Sequence, residues 1–225
     1  MAARNHSQTV GDFSITTVVN SPPWYENCFV VHHRPSNRQF VIDPGGEADR
    51  IAAVVKANGE GAREILLTHG HPDHLGGVHD LQKLLGDVPC RAHREEHEII
   101  SGVADWASAL MQRRIRGPEQ VEYFTDEPVL AYDGFEVRVL LTPGHTPGGV
   151  CYVFDGFVFT GDTLFNQGVG RTDLPGGSGR QLSASISRLL RDLDPSLELF
   201  CGHGPSWTIG EARGWWDLAV SQGYF

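Results

Sequence analysis

Apolar residues along the chain switch between two periods. Short runs rich in β-branched and aromatic residues predict strands at Phe13–Val19, Cys28–His33, Gln39–Ile42, Glu64–Leu67, Phe135–Leu141, Val150–Phe154, Phe157–Thr160 and Leu197–Cys201. Asp155-Gly156 between two of them reads as a tight hairpin turn. Helical spacing predicts helices at Ala48–Asn58, with Ile51, Val54 and Val55 on one face, and at Leu75–Leu85, with Leu75, Val78, Leu81, Leu84 and Leu85. Gly179–Leu193 carries Leu182, Ile186, Leu189, Leu190 and Leu193 at the same spacing. Ser178 and Gln181 read as its capping box, and Asp194-Pro195 ends it. Ile209–Val220 predicts a last helix, and Arg94–Ser101, continuing through Trp106–Arg114, a further helical region. Strands and helices alternate unevenly with hairpins among them. That predicts an α/β or α+β fold of two mixed β-sheets flanked by helices. No repeat, low-complexity tract or linker divides the chain, so a single domain over 1–225 is expected. The polar lead Met1–Gly11 is open to being a disordered tail.

Composition narrows the function classes. At 225 residues, 40% apolar and 20% charged, the chain can bury a full core. The net charge of -10 argues against a nucleic-acid partner, which needs clustered Lys and Arg. No apolar stretch approaches a membrane span, and the lead has no signal-peptide apolar region, so a cytoplasmic protein with a small-molecule substrate is expected. Cys28, Cys90, Cys151 and Cys201 form no C-x-x-C pair and read as reduced thiols in strands. Cys201 also lies two residues before His203, which leaves a metal-ligand reading open.

The chemistry concentrates in Thr68-His69-Gly70-His71-Pro72-Asp73-His74. Three imidazoles and a carboxylate so close together suit divalent metals far better than a core, where every ring nitrogen needs a partner. In an extended segment His69 and His71 point to the same side. Asp73 and His74 lie where the loop turns into a helix and can face a second ion. Further donors follow predicted strands in Gly/Pro-rich turns: His145 in Thr142-Pro143-Gly144-His145-Thr146-Pro147-Gly148, Asp162 in Thr160-Gly161-Asp162-Thr163, and His203 in Cys201-Gly202-His203-Gly204. Two metals held close together need a shared anion, and a carboxylate supplies one.

This order, H-x-H-x-D-H, then His, Asp and His, resembles the metallo-β-lactamase fold superfamily, and within it the glyoxalase II-like hydrolases. The resemblance covers nearly the whole chain. Glu26-Asn27-Cys28, Val41-Ile42-Asp43-Pro44-Gly45-Gly46, Gly161-Asp162-Thr163-Leu164-Phe165 and Gly170-Arg171-Thr172-Asp173 also match. It implies a four-layer αββα sandwich with two divalent metal ions, expected to be zinc, with iron or manganese as alternatives. It further implies that His69, His71 and His145 hold the first ion, that Asp73, His74 and His203 hold the second, and that Asp162 bridges them. The implied reaction is hydrolysis of a thioester such as an acylglutathione by a metal-bridging hydroxide. Asp73 is also a candidate to accept the hydroxide's proton, with its ligand role taking precedence. β-Lactamases of this fold usually carry Cys at the position of Asp162 and lack a ligand at that of His74, which argues against lactam cleavage. Only a short tail follows His203, where true glyoxalase II has a helical region that helps hold glutathione. The rival reading is an iron-dependent glutathione persulfide dioxygenase, with one iron at His71, His145 and Asp162. A lactonase or esterase is a third.

Other residues carry two readings each. Arg171 is either a clamp for a substrate carboxylate or a structural pair with Asp173. Gly168, Gly170, Gly176, Gly177 and Gly179 shape either a mobile loop or tight turns. Trp24 and Tyr25 sit on an expected hairpin tip and either wall a pocket or form an ordinary turn. Trp215 and Trp216 are expected to pack the last helix on a sheet. His32, His33, His79, His93 and His97 match no ligand motif. His93 and His97 are read as solvated surface histidines, and Arg94-Glu95-Glu96-His97-Glu98 as a solvated helix face.

Overall fold

The computed structural model describes residues 5–61, 63–86, 88–111 and 115–225. They group into two compact units, Met1–Thr125 and Asp126–Phe225.

The first unit holds a seven-stranded sheet whose strands lie in chain order. These are β1 (His6–Val10), β2 (Phe13–Val19), β3 (Asn27–His33), β4 (Arg38–Ile42), β5 (Arg63–Leu66), β6 (Cys90–His93) and β7 (Glu122–Phe124). Pairing is antiparallel from β1 to β4 and parallel from β4 to β7. Parallel neighbours require crossovers. Helix α1 (Ala48–Ala57) joins β4 to β5, and α2 (Pro72–Leu75) with α3 (Val78–Leu85) joins β5 to β6. A 3-10 turn (Arg94–Glu96) and α4 (His97–Met111) join β6 to β7. Val18, Cys28, Val30 and Val41 of the sheet pack with Ile51, Val55, Leu75, Val78 and Leu81 of the crossover helices.

The second unit holds a mixed six-stranded sheet in the order β15-β14-β11-β10-β9-β8. Its strands are β8 (Val129–Tyr132), β9 (Phe135–Leu141), β10 (Val150–Phe154), β11 (Phe157–Gly161), β14 (Glu198–Cys201) and β15 (Trp207–Thr208). A small hairpin, β12 (Leu164–Phe165) and β13 (Gly168–Val169), stands apart from the sheet. The one parallel pair, β11 with β14, is bridged by α5 (Gly179–Asp192), and α6 (Ile209–Ser221) closes the chain. Leu182, Ile186, Leu189 and Leu190 of α5 pack with Val158, Leu199, Ile209 and Trp216. The fold is thus α/β, with two large mixed sheets and their helices, as the periodicity predicts.

Several local expectations change. Residues 6–10 of the polar lead form a strand rather than a tail, because β2 offers them a full antiparallel ladder from His6↔Thr17 to Val10↔Phe13. An edge strand tolerates such polar side chains. Residues 1–4 lie outside the described residues. The helix expected at Leu75–Leu85 is broken at Gly76-Gly77, where the Gly77 amide donates to the Pro44 carbonyl at 2.8 Å. Ser178 Oγ accepts the Gln181 amide at 3.3 Å, whereas the reciprocal capping box lies at Thr208 and Glu211 on α6. Asp155-Gly156 is the hairpin turn expected, with Phe154 opposite Phe157. Residues 112–114 of the expected Trp106–Arg114 helix lie outside the described residues.

Candidate metal centre

In the first unit, β5 ends at Leu66 and the chain bends at Thr68 before reaching His71, whose extended backbone starts α2. Pro72 follows at the first helical position, where its missing N–H is harmless. Asp73 and His74 therefore lie on the first turn. The rings of His69 and His71 meet edge to face at 4.8 Å, and those of His69 and His74 lie 4.1 Å apart between centroids. His74 Nε2 lies 3.9 Å from Asp73 Oδ2.

Asp43, just after β4, anchors this cluster. Its Oδ1 accepts the Thr68 amide at 2.7 Å, and its Oδ2 accepts the Thr68 hydroxyl at 2.6 Å and His74 Nδ1 at 2.9 Å. The Thr68 hydroxyl has spent its one proton on the carboxylate, so it accepts from His69 Nδ1 at 3.0 Å. Both Nδ1 atoms are thereby protonated, and His69 and His74 each offer Nε2 as the donor atom. A hydrogen bond on one ring nitrogen commonly fixes which nitrogen binds a metal. Asp43, His69 and His74 also bring one ligand atom each to within 4.8 Å of one another. Asp43 is held with φ 51°, a sparsely populated conformation for a residue with a side chain.

Close backbone approach explains the glycines here. A Cβ on Gly45 would stand 1.4 Å from the Asp73 carbonyl oxygen. One on Gly70 would stand 2.9 Å from Ile100 Cγ1 and 3.0 Å from Glu96 Oε2. Glu96 is fully buried and accepts the Gly70 amide at 2.7 Å.

In the second unit the three remaining donors converge. His145 lies between β9 and β10, Asp162 directly after β11, and His203 after β14. Asp162 Oδ2 lies 3.6 Å from His145 Nε2 and 3.6 Å from His203 Nε2. His145 Nδ1 donates to the Arg171 carbonyl at 2.7 Å, so its Nε2 carries the ring lone pair and faces Asp162. Gly170 permits that approach, since a Cβ would fall 2.8 Å from His145 Nδ1 and 2.0 Å from the Asp162 carbonyl oxygen. The His145 loop is tied to α5. Ser185 Oγ donates to the Pro143 carbonyl at 2.7 Å, and the Ser178 amide to the Gly144 carbonyl at 2.7 Å.

Other expectations resolve on geometry. Arg171 makes a bidentate pair with Asp173, with both bonds at 2.7 Å and both side chains exposed. That hydrogen bond, with the guanidinium charge, pulls the Asp173 carboxyl down to about 2. Gly170 and Gly177 sit at close backbone contacts, which favours the tight-turn reading for them. Cys201 is buried, and its Sγ–H is turned toward the backbone carbonyls of His203 and Pro205, at 3.0 and 3.5 Å. Trp24 and Tyr25 lie on the β2–β3 connection, and Tyr25 is exposed. Trp216 is buried and donates Nε1–H to Ser187 Oγ at 3.1 Å.

The surface reading of His93 and Glu96 is corrected. His93 is buried, and its Nδ1 accepts the Glu95 amide at 3.3 Å as the cap of the 3-10 turn, while His97 is exposed. Glu96 is buried because that turn aims it at Gly70. Asp43, Thr68 and Glu96 are the site-supporting residues that the motifs alone did not single out. For Asp43 the Ile-Asp-Pro-Gly-Gly setting was a signal. For Glu96 there was none, since it sits in a charge-rich run.

A donor set of imidazole and carboxylate, with tautomers fixed by neighbours, fits divalent metal chemistry. The family model of the metallo-beta-lactamase superfamily matches residues 21–203. The chain is 32% identical over 191 residues to hydroxyacylglutathione hydrolase GloC of Haemophilus influenzae, covering 84% of this chain and 90% of that protein. Among solved structures, BLEG-1 B3 metallo-beta-lactamase is 31% identical with a TM-score of 0.78, covering 89% of this chain and 96% of that one. TTHA1623 in a di-iron-bound form is 34% identical with a TM-score of 0.76, covering 88% and 96%. With the matched model spanning most of its length, this chain belongs to the metallo-beta-lactamase superfamily, a superfamily of metallo-hydrolases.

Proposed function

We propose that the protein is a dinuclear metallo-hydrolase acting on a thioester, with an acylglutathione as the leading substrate class. The observation that carries the reading is the convergence of two imidazole nitrogens on one oxygen of Asp162, each at 3.6 Å. That is the arrangement a bridging carboxylate needs. The thioester choice rests on the likeness to the Haemophilus hydroxyacylglutathione hydrolase.

In this proposal His69, His71 and His145 hold one ion, Asp73, His74 and His203 the other, and Asp162 is shared. When bound, such a pair supplies a hydroxide nucleophile near neutral pH and stabilises the oxyanion that develops on the substrate carbonyl. The chain's own groups do the positioning. Thr68, Asp43 and the Arg171 carbonyl hold the Nδ1 protons of three histidines, so each ring keeps its Nε2 lone pair for a cation. Asp73 is first a ligand in this proposal, and second a candidate to accept a proton from the nucleophile. A thiolate leaving group needs no strong acid, because thiol pKa values lie near 8.5. The reading extends to a cytoplasmic setting, consistent with four buried free cysteines. Among the described residues no helix is long and apolar enough to cross a membrane.

A second reading, β-lactam hydrolysis, is favoured by the 31% identity to a B3 metallo-beta-lactamase. The test is metal content of protein purified without added metal, followed by turnover of S-lactoylglutathione, a β-lactam and glutathione persulfide. Two ions per chain with thioester turnover abolished in Asp162→Ala is the expected result. Two ions with lactam turnover alone would transfer the reading to the second. One iron with persulfide-dependent oxygen uptake would overturn both.

A further inference from the structure

We infer that Glu96 is a positioning residue for the metal centre: its carboxylate fixes the Gly70 amide and thereby holds His69 and His71 on the same side of the chain. The inference rests on the reading above that these two histidines hold a metal ion. Glu96 lies outside the ligand motif, on the 3-10 turn Arg94–Glu96 that follows β6. It is 0% exposed, unlike its neighbours Arg94 and Glu95, which are exposed. A carboxylate is taken out of water only where something repays its desolvation. Here Oε2 accepts the backbone N–H of Gly70 at 2.7 Å.

The position of that amide gives the bond its consequence. Gly70 is the single residue between His69 and His71, and its φ and ψ set the angle between their side chains. Its amide has no sheet partner there, because β5 ends at Leu66 and α2 begins at Pro72. Glu96 replaces the missing ladder bond. The site is also tight. The Gly70 Cα faces Glu96 Oε2, Ile100 and Ile99 closely enough that a Cβ would stand 2.9 to 3.1 Å from them. The turn that carries Glu96 is itself capped, by His93 Nδ1 accepting the Glu95 amide. One chain of contacts therefore runs from the end of β6 to the middle of the H-x-H segment. Partners that orient ligands without touching the metal typically change metal affinity about ten- to a hundredfold when removed.

The requirement is reach rather than charge, which gives two opposed variants. Glu96→Gln keeps an acceptor oxygen at the same distance and loses the charge. Glu96→Asp keeps the charge and withdraws the acceptor by one methylene. Zinc affinity is measured by competition with a chromophoric chelator, alongside the visible spectrum of the cobalt-substituted protein and far-UV circular dichroism. The expected result is near-wild-type affinity and spectrum in Glu96→Gln. Glu96→Asp and Glu96→Ala are expected to bind the tighter ion about ten- to a hundredfold more weakly, with an altered cobalt spectrum. Wild-type affinity and spectrum in folded Glu96→Asp would overturn the inference, and that variant decides if Glu96→Ala does not fold. Equal weakening in Glu96→Gln would overturn it too, by assigning the effect to charge. Wild-type protein that binds neither zinc nor cobalt would overturn the metal reading itself, a result distinguishable from all of these.

Discussion

At the scale of single residues, Asp43 carries more of the centre than any residue outside the ligand motif. One carboxylate accepts three bonds, two from Thr68 and one from His74. Through Thr68 it also sets the tautomer of His69. Asp43→Ala leaves these buried donors without an acceptor, a loss on the order of 3 kcal/mol from unmet hydrogen bonds. We expect a lower Tm and weaker metal binding together, read by thermal unfolding and chelator competition. An unchanged value of either would separate the anchor from the ligands. Arg171 belongs to the same scale with the opposite expectation. Its guanidinium is already engaged by Asp173 in the open, where ion pairs contribute little to stability. Arg171→Ala should leave Tm and KM where they are. A raised KM at constant kcat would restore its role as a substrate clamp. The donor types were legible in the sequence because imidazoles at such spacing have few structural uses. The residues that orient them were not, because Asp43 and Glu96 reach their partners across 25 and 26 residues.

At the scale of elements, the loops after the strands are shaped by backbone contacts that leave no space for a side chain. Gly45 is the sharpest case, since a Cβ there would stand 1.4 Å from the Asp73 carbonyl. Gly45→Ala must push the α2 turn away from β4, so the expected outcome is lost metal at Asp73 and His74 with the sheet retained. Metal stoichiometry and circular dichroism on one sample test this, and full metal content would refute it. Elsewhere Glu127 clasps two elements of the second unit. It accepts the Leu141 amide at 2.7 Å at the end of β9 and pairs with Arg188 of α5 at 2.6 Å. Desolvation raises the Glu127 carboxyl, but the bonds from Arg188 and Leu141 and the Arg188 charge outweigh it and hold it below its ordinary 4.5. A carboxyl with a lowered folded value stabilises the protein above its unfolded value, and that contribution disappears as pH falls through the folded value. Both partners are about one-third exposed, so screening keeps the effect small. Glu127→Gln should therefore lower Tm slightly at neutral pH and converge with wild type below pH 4.5, as scans across pH would show. Long periodic elements such as α5 and β9 were legible because each buries one regular face. β6, β7 and β8 were not, being three or four residues long with polar or exposed positions that only pairing with neighbours makes into strands.

At the scale of the whole molecule, the donors proposed as ligands are spread from His69 to His203 and share one local design. All lie on or just before the turns after strands, Asp73 and His74 on the short helix α2, and each imidazole among them with a described Nδ1 contact gives that proton to an oxygen of the protein. The first unit gathers His69, His71, Asp73 and His74, and the second gathers His145, Asp162 and His203, in a chain of net charge -10. No unfolded segment presents either set in that geometry, so a cation held by the proposed ligands would bind the folded state selectively, and its binding free energy would add to folding. At free metal a thousandfold above Kd, one ion contributes about 4 kcal/mol, equivalent to about 10 °C in Tm for a chain of this size. The expected outcome is a fall of that order on exhaustive chelation and full recovery on adding back zinc. Asp162→Asn should show a much smaller difference between the two states, because the carboxylate flanked by His145 and His203, the one proposed to be shared, loses its charge. A Tm that is equal with and without metal, in protein verified by mass spectrometry to have exchanged it, would mean that these donors are not coupled to folding. The hydrolase proposal would then have to rest on a site elsewhere.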